Sequence, residues 1–255
     1  MATWSALEEE LNAWSAVGRE AALWWRDDDA THVTPALERL LNIATSNHVP
    51  LCLAVIPADA HSGLRSLLDV HADVTIAVHG ITHENFAKPG EKKCELTDGR
   101  PPQALAGRLH QGLESLVALA GDRTIPIVVP PWNRIAESLL PLLPAHGFRG
   151  ISTYGDRRTE EPSQGLVQVN CHVDPIDWRG GRHFVGSENA LAMMIGHLTR
   201  RRLGNADPHE PTGLLTHHAV WTEEAFTFLT EVFVRTQGHP AIRWRTAREV
   251  FGLMS

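Results

Sequence analysis

The chain has 255 residues, of which 43% are hydrophobic and 21% charged, and its formal net charge is −7. This composition is typical of a globular protein with one sizeable core. It contains no basic run that could follow a phosphate backbone and no apolar run long enough to cross a membrane, which excludes nucleic-acid binding and membrane insertion. The start of the chain is acidic and no apolar segment follows, so we expect a cytoplasmic protein.

Apolar segments of strand length alternate with amphipathic helical patterns along the whole chain. In chain order we predict a helix over 3–19, a strand over 21–27, a helix over 34–47, a strand over 50–57, a helix over 62–71, a strand over 73–80, a helix over 101–121, a strand over 124–132, a broken helix over 136–147, strands over 148–155 and 165–175, a helix over 187–204, a strand over 212–221 and a helix over 222–238. No linker interrupts this order, so we predict one domain over 1–255.

Seven predicted strands that are apolar throughout are typical of a parallel sheet covered on both faces. Regular alternation with helices favours an α/β fold, either a TIM-like (β/α) barrel or an open doubly wound sheet. No GxGxxG follows the first strand, which argues against a dinucleotide-binding sheet. We therefore predict a distorted barrel of about seven parallel strands, preceded by an N-terminal helix.

Acids and imidazoles collect where the predicted strands end. In either architecture the carboxyl ends of the strands form the active-site rim. A single acidic triplet or a bare HxxxH is not specific, but the shared position of all five groups indicates one site with metal and proton-transfer chemistry. These groups are Asp27, Asp28 and Asp29, then His79 and His83, then "PPWNR" at 130–134, then His172, Asp174 and Asp177, and finally His217 and His218.

Five motifs in a fixed order resemble those of the polysaccharide deacetylase family, which has the NodB homology domain of carbohydrate esterase family 4. The family patterns are T-F-D-D-G, H-[ST]-x-x-H, R-x-P-[YF]-G, D-W and L-x-H. Here they stand as "RDDDA" (26–30), "HGITH" (79–83), "VPPWN" (129–133), "DW" (177–178) and "LTH" (215–217). The resemblance covers most of the chain and implies a divergent member with a distorted barrel and a divalent metal.

Carried over position by position, the resemblance implies a role for each matching residue. Asp29, His79 and His83 would be the metal ligands, and Asp28 would be the general base. His217 would be the general acid, with Asp177 tuning it. Residues expected to line the substrate site are Leu215 beside the acyl methyl, Trp178 beside the catalytic His, and Trp132, Pro131, Arg26 and His218. An alternative register would place the acidic pair at Asp27 and Asp28.

Two departures from the family pattern affect the third motif. Val129 replaces its Arg, and Asn133 replaces its Gly. We hypothesise that Arg26 or Arg134 supplies the missing guanidinium beside Asp28. If neither does, the barrel would bind a carbohydrate or a partner protein without turnover.

The resemblance implies a metal-dependent hydrolase that acts on carbon–nitrogen bonds other than peptide bonds. Zinc is the expected metal, but an Asp-His-His set also suits cobalt, nickel or manganese. The expected reaction removes an acyl group, in the first place acetyl, from an N-acylated sugar or sugar conjugate. A second possibility is a small non-sugar amide such as a ureide or cyclic imide. The sequence leaves the oligomeric state open.

Overall fold

The computed structural model describes residues 1–253 and contains ten strands and seven α-helices within that range. The helices are α1 (Trp4–Ala16), α2 (Pro35–Ser46), α3 (Gly63–Val70), α4 (Pro102–Ala120), α5 (Ser187–Leu203), α6 (Glu223–Thr236) and α7 (Ala247–Val250). The strands are β1 (Ala21–Ala30), β2 (Leu51–Val55), β3 (Val74–His79), β4 (Thr124–Val129), β5 (Gly150–Ile151), β6 (Val167–Gln168), β7 (Ile176–Asp177), β8 (His183–Phe184), β9 (Thr212–Thr216) and β10 (Ile242–Trp244). None of these helices is both long and apolar enough to cross a membrane.

Eight of the strands form one sheet in the order β10-β1-β2-β3-β4-β5-β6, and β9 pairs with β1. Every pairing in this sheet is parallel. Single bridges from Tyr154 to Cys171 and from Val173 to Leu214 connect the β5–β6 side with β9. The sheet therefore curls into a distorted α/β barrel, which confirms the predicted fold class.

The two faces of the barrel strands belong to different cores. On β2, Leu51, Leu53 and Val55 pack with the surrounding helices. Cys52 and Ala54, which alternate with them, belong to a smaller inner cluster. This alternation follows from the two-residue period of a strand, and it explains why the strands are apolar throughout.

Most predicted helices are present, and the differences have local causes. The Thr34 side chain accepts a hydrogen bond from the Leu37 N–H at 3.1 Å and begins α2 as expected. The predicted helix over 136–147 is instead two 3₁₀ segments, because Pro141 and Pro144 lack the N–H that a continuous α-helix needs. Strand β9 ends at Thr216, so His217 and His218 lie beyond it. Strands β7, β8 and β10 had not been predicted.

Candidate metal centre and active-site pocket

A distortion at the end of β1 brings two consecutive carboxylates to the same pocket. In a regular strand, neighbouring side chains point to opposite faces. Here the register with β2 shifts between Asp27 and Ala30, and Asp29 has a φ of 70°. Such an irregularity redirects one side chain. As a result Asp28 and Asp29 both line the pocket, while Asp27 points away from it.

Asp29, His79 and His83 converge in the way that a divalent ion requires. The Asp29 Oδ1 atom lies 3.1 Å from His79 Nε2 and 3.3 Å from His83 Nε2. His79 Nδ1 lies 2.9 Å from the Val129 carbonyl oxygen, to which it can only donate. That bond leaves the Nε2 lone pair directed at the shared point, as in metal-ligating histidines whose second nitrogen is held by a carbonyl.

The electrostatics of this group also suit a cation. Burial raises the pKa of Asp29, but the adjacent His79 and His83 rings outweigh it and hold that pKa far below its usual range. The carboxylate is therefore ionised beside two imidazoles. One anionic oxygen and two imidazole nitrogens form a ligand set of the open, catalytic type. The residues present fit a divalent metal.

The turn that carries the two imidazoles depends on a buried carboxylate. Glu95 is fully buried and accepts the N–H groups of Ile81 at 2.9 Å and Thr82 at 2.7 Å. Gly80 begins this turn with a φ of 63°, and a Cβ there would lie 2.2 Å from Glu95 Oε2. The family's Ser or Thr has no room at this position, so glycine is a steric requirement here. Glu95 had not been predicted, because no motif in the sequence marks it.

Arg26 supplies the guanidinium that the third motif lacks. It is fully buried, and its Nε and Nη2 atoms donate to the two oxygens of Asp28 at 2.8 and 2.9 Å. Its remaining hydrogen bonds go to Ser152 at 2.6 Å, Asn133 at 2.7 Å and the Thr153 carbonyl oxygen at 3.5 Å. Asn133, which replaces the family's Gly, thus helps to hold this guanidinium. Arg134, the other candidate, donates to the Lys93 carbonyl oxygen instead.

His217 lies on the same pocket as the Asp29 group. The ring of Trp178 packs edge-on against it with centroids 4.5 Å apart. His217 Nδ1 and Asp174 Oδ1 are both buried, and neither has a hydrogen-bond partner among the described residues. Burial raises the pKa of Asp174, and the neighbouring His217 opposes that effect. Asp174 and His217 thus line the same pocket, and the Asp174 Oδ2 atom accepts the Trp178 Nε1–H at 2.6 Å.

The placement expected for Asp177 is wrong. Its Oδ1 atom accepts the N–H groups of Arg179 at 3.0 Å and Gly180 at 2.7 Å, which closes the turn between β7 and β8. These bonds hold the pKa of Asp177 below its usual value. The carboxylate is occupied in the turn and is not part of the pocket lining. Asp174, three residues earlier, is the acid of this segment that lines the pocket.

His218 does not line the pocket either, although it had been expected at the substrate. Its backbone N–H donates to Asp27 Oδ2 at 3.0 Å, and its Nδ1 is paired with Oδ1 of the same residue. Burial lowers the pKa of His218, but the buried Asp27 carboxylate outweighs this and raises it. Thr216 donates to Asp27 as well, at 2.6 Å. This network stabilises the junction of β1 and β9 behind the site.

Two further expectations about the substrate site need correction. Leu215 is fully buried in the inner barrel cluster, because its position on β9 directs it into the barrel. Pro131 is also buried and packs against Gly80. Neither lines the pocket, and Arg26 lies behind Asp28. Trp132 and Trp178 do line it, together with Ile176 and Met193, which provide its apolar surface.

The pocket is large enough for a monosaccharide-sized ligand, with a cavity volume of about 690 Å³. Trp132 has a φ of 55°, and its ring packs against His83 with centroids 4.5 Å apart. Left-handed φ values are uncommon outside glycine and often mark functional sites. Asp29 and His83 share this conformation, at 70° and 58°. With Asn133 at 56° and Arg182 at 59°, five pocket residues are thus held in left-handed backbone.

A second set of potential metal ligands, Asp156, His172 and His197, lies outside this pocket. The two rings are stacked with centroids 3.6 Å apart. His172 Nδ1 accepts the Gly213 N–H at 3.1 Å, so in the neutral ring the hydrogen is on Nε2. That nitrogen then has no lone pair to offer a metal. This set is better explained as a buried structural network, which Glu210 completes at 3.4 Å from His172 Nε2.

Comparison with solved structures identifies the fold. A protein described as a polysaccharide deacetylase from Mycobacterium smegmatis superposes with a TM-score of 0.66 at 18% identity, covering 92% of this chain and 90% of that one. A family 4 acetyl xylan esterase from Clostridium thermocellum, in complex with cobalt, gives 0.53 at 13% identity, covering 91% of each chain. PuuE allantoinase gives 0.63 at 10% identity, covering 91% and 89%.

No protein-family profile and no curated protein matches the chain at the level of sequence. The structures that resemble it over nearly their whole length are polysaccharide deacetylases and family 4 carbohydrate esterases, with an allantoinase among them. The chain thus has the distorted barrel fold of these hydrolases, at the low sequence identity expected of a divergent relative.

Proposed function

We propose that this protein is a metal-dependent amide hydrolase that removes an acyl group, in the first place acetyl, from an N-acylated sugar or sugar conjugate. The observation that carries the proposal is the convergence of Asp29, His79 and His83. Asp28 and His217 line the same pocket. The shared fold with deacetylases and esterases supports the same reaction class.

Asp29, His79 and His83 would hold the metal, with zinc as the first candidate and cobalt, nickel or manganese as others. When bound, such an ion polarises a carbonyl oxygen and makes water more acidic. Asp28 lies beside this group, and Arg26 fixes both of its oxygens. Each oxygen keeps a further lone pair, so Asp28 can accept a proton from an attacking water as general base.

His217 is placed to donate a proton to the departing amine, which an amide needs because its nitrogen leaves poorly as an anion. It lines the pocket next to Trp178 and follows β9, whereas Asp28 lies on β1. Asp174 would hold its ring and favour the protonated form, the part that the sequence had assigned to Asp177. Acid and base would thus come from different strand ends.

The substrate class follows from the pocket walls. Trp132 and Trp178 offer ring surfaces of the kind that stack against sugars, and Ile176 and Met193 offer apolar surface for an acyl group. The likeness to PuuE allantoinase supports a second candidate, hydrolysis of a small ureide or cyclic imide. Both reactions would use the same metal ligands and base.

The main argument for the alternative, a barrel that binds carbohydrate without turnover, no longer holds. That alternative rested on the absent Arg at Val129, and the geometry shows Arg26 in a bidentate pair with Asp28. A buried guanidinium is therefore present where the base needs one, from a different position in the chain.

The test combines metal analysis with turnover. Purified protein should contain close to one divalent ion per chain, and the His79→Ala variant should lose it. The His110→Ala variant on α4, outside the pocket, is the matched control. Acetate release from N-acetylglucosamine and its oligomers, compared with hydrolysis of allantoin, separates the two substrate candidates. A wild-type protein that binds no metal and hydrolyses neither class would refute the proposal.

A further inference from the structure

The mouth of the pocket carries four basic side chains, Lys93, Arg134, Arg179 and Arg182, which we call the cationic rim. Within residues 1–253, none of the four has a carboxylate oxygen within 4.0 Å. Other unpaired cations are scattered over the surface, but these four converge on one cavity of a chain whose net charge is −7. A cluster of positive charges in a protein of negative net charge indicates a local electrostatic function.

The rim is built from fixed turns. Two of its arginines come from the β7–β8 hairpin, where Asp177 accepts the N–H groups of Arg179 and Gly180. The Arg182 N–H closes the same turn by donating to the Asp177 carbonyl oxygen at 2.9 Å. The Asp177 carboxylate belongs to this hairpin, but its hydrogen bonds go to backbone N–H groups. It therefore fixes the backbone of the turn that carries both arginines and does not pair with their guanidinium groups.

A hydrogen bond also joins the two segments that carry the other rim residues, Lys93 and Arg134. The Arg134 guanidinium donates to the Lys93 carbonyl oxygen at 2.9 Å, which links the loop before α4 to the segment after β4. The Lys93 ammonium lies 5.8 Å from the centroid of the Trp132 ring. Together with the hairpin, cationic groups thus line the cavity from three separate segments.

The acids inside the pocket do not neutralise this rim. Asp28 is paired with Arg26, and Asp29 belongs to the proposed metal site. The Asp174 Oδ2 atom accepts the Trp178 indole N–H at 2.6 Å, and Asp174 has no ion pair with any of the four rim side chains among the described residues. A bound divalent ion would add further positive charge. A substrate that enters this pocket therefore meets a positive field, and arginine is well suited to hold a carboxylate or phosphoryl group through paired N–H donors.

We propose that the substrate carries an anionic group, a carboxylate or a phosphoryl, which Arg179 and Arg182 bind while the acyl amide lies at Asp29. This inference rests on the proposed function and names the substrate class. It distinguishes this pocket from one built for long neutral glycans, in which stacking surfaces alone would be enough. The anion would anchor the far end of a small N-acyl compound and orient the amide towards Asp28.

The experiment measures binding and turnover separately. The probes are N-acetylglucosamine, its 6-phosphate, N-acetylmuramic acid and inorganic phosphate, titrated by calorimetry into chelator-treated protein at low salt. We expect at least one anionic sugar to bind tenfold or more tightly than N-acetylglucosamine. The phosphate and carboxylate sugars distinguish the two kinds of anion. The preference should shrink as salt rises, because exposed charges are screened.

The decisive variant is Arg179→Gln combined with Arg182→Gln, compared with Arg158→Gln, an exposed arginine outside the pocket. The double variant should lose the tenfold preference and raise KM for the anionic sugar, whereas Arg158→Gln should keep both at the wild-type level. Equal binding of neutral and anionic probes, no binding of any anion, or a preference that survives in the double variant would each overturn the inference. Anion binding without hydrolysis of any probe would instead count against the proposed function and leave the anion site standing.

Discussion

Arg26 and Asp28 form a fully buried bidentate ion pair at distances of 2.8 and 2.9 Å, two residues apart on one strand. The pair links the barrel interior to the pocket, because Arg26 reaches inward to Ser152 and Asn133 while Asp28 faces the proposed metal. A buried pair of this kind contributes little net stability, but breaking it leaves an uncompensated charge. Its retention fits a catalytic requirement for an oriented carboxylate.

The first prediction concerns this pair. Arg26→Met should lower stability by about 3–5 kcal/mol, because Asp28 loses its buried counter-charge. Adding Asp28→Asn should restore part of that loss, measured by urea unfolding. Arg26→Lys should lower kcat by about a hundredfold or more, since an ammonium cannot hold both oxygens. Arg134→Lys is the control, and with a neutral substrate it should keep the wild-type kcat. Equal losses in both lysine variants would contradict this assignment.

A second prediction separates the two acids near the hairpin. Asp174→Asn should lower kcat about tenfold to a hundredfold and shift the acidic limb of the pH–rate profile, because it removes the carboxyl group that we propose to act on His217. Asp177→Asn should leave kcat for a neutral substrate close to wild type, since its carboxylate contacts only the turn. Steady-state acetate release over a range of pH measures both. A larger kcat loss in Asp177→Asn would restore the motif-based assignment.

The third prediction concerns His217 and His218, which are adjacent in the chain but have different proposed roles. His217→Gln should reduce kcat by about 10²–10⁴-fold with little change in stability, because it removes the proposed general acid. His218→Gln should instead lower stability and leave turnover almost unchanged. It should destabilise the fold, since Asp27 loses its buried imidazole partner, and retain kcat within a few-fold. Thermal unfolding and turnover on the same preparations give the comparison. Loss of turnover in a folded His218→Gln protein would place that residue in the site after all.

Gly80 provides the fourth prediction. Gly80→Ala should both destabilise the protein by more than about 2 kcal/mol and weaken metal binding, because its Cβ would press on Glu95 and Pro131. Gly90→Ala is a matched control, with a φ of 86° and no atom within 4 Å of the position that the alanine methyl group would take. Both variants carry the backbone strain of an alanine at positive φ. Any additional loss of stability in Gly80→Ala therefore measures the contact of its Cβ with Glu95 and Pro131. Identical effects would show that the His79–His83 turn tolerates a side chain.

The fifth prediction concerns stability at acidic pH. Burial, His172 and two nearby arginines lower the pKa of His197 to about 2. Below about pH 6.5 the unfolded chain therefore binds a proton that the folded chain does not, so stability falls as pH falls, by up to about 1.4 kcal/mol per pH unit. His197→Phe should flatten the slope of unfolding free energy between pH 6.5 and 4.5, whereas the half-exposed His110→Phe should not. An unchanged slope in His197→Phe would contradict the burial of a neutral ring.

Much of the site could be predicted because its residues follow directly after strands. Asp29, His79, His83 and His217 come from parallel strand ends, and parallel strands bring their carboxyl ends to one rim. The choice between Asp27–Asp28 and Asp28–Asp29 could not be made from residue types alone. The register shift in β1 and the left-handed Asp29 decide which carboxylates face the pocket.

By itself the sequence determined the alternation of strands and helices, the end of the barrel that carries the chemistry, and the histidine and aspartate set that meets there. Periodicity and strand ends are local properties, so they can be seen along the chain. Only the tertiary structure decided that Arg26 pairs with Asp28, that Asp174 rather than Asp177 lines the pocket with His217, and that His218 and Leu215 lie outside the pocket lining. Those outcomes depend on side-chain direction across distant segments, which a bulge or a two-residue turn can reverse without changing the pattern of residues.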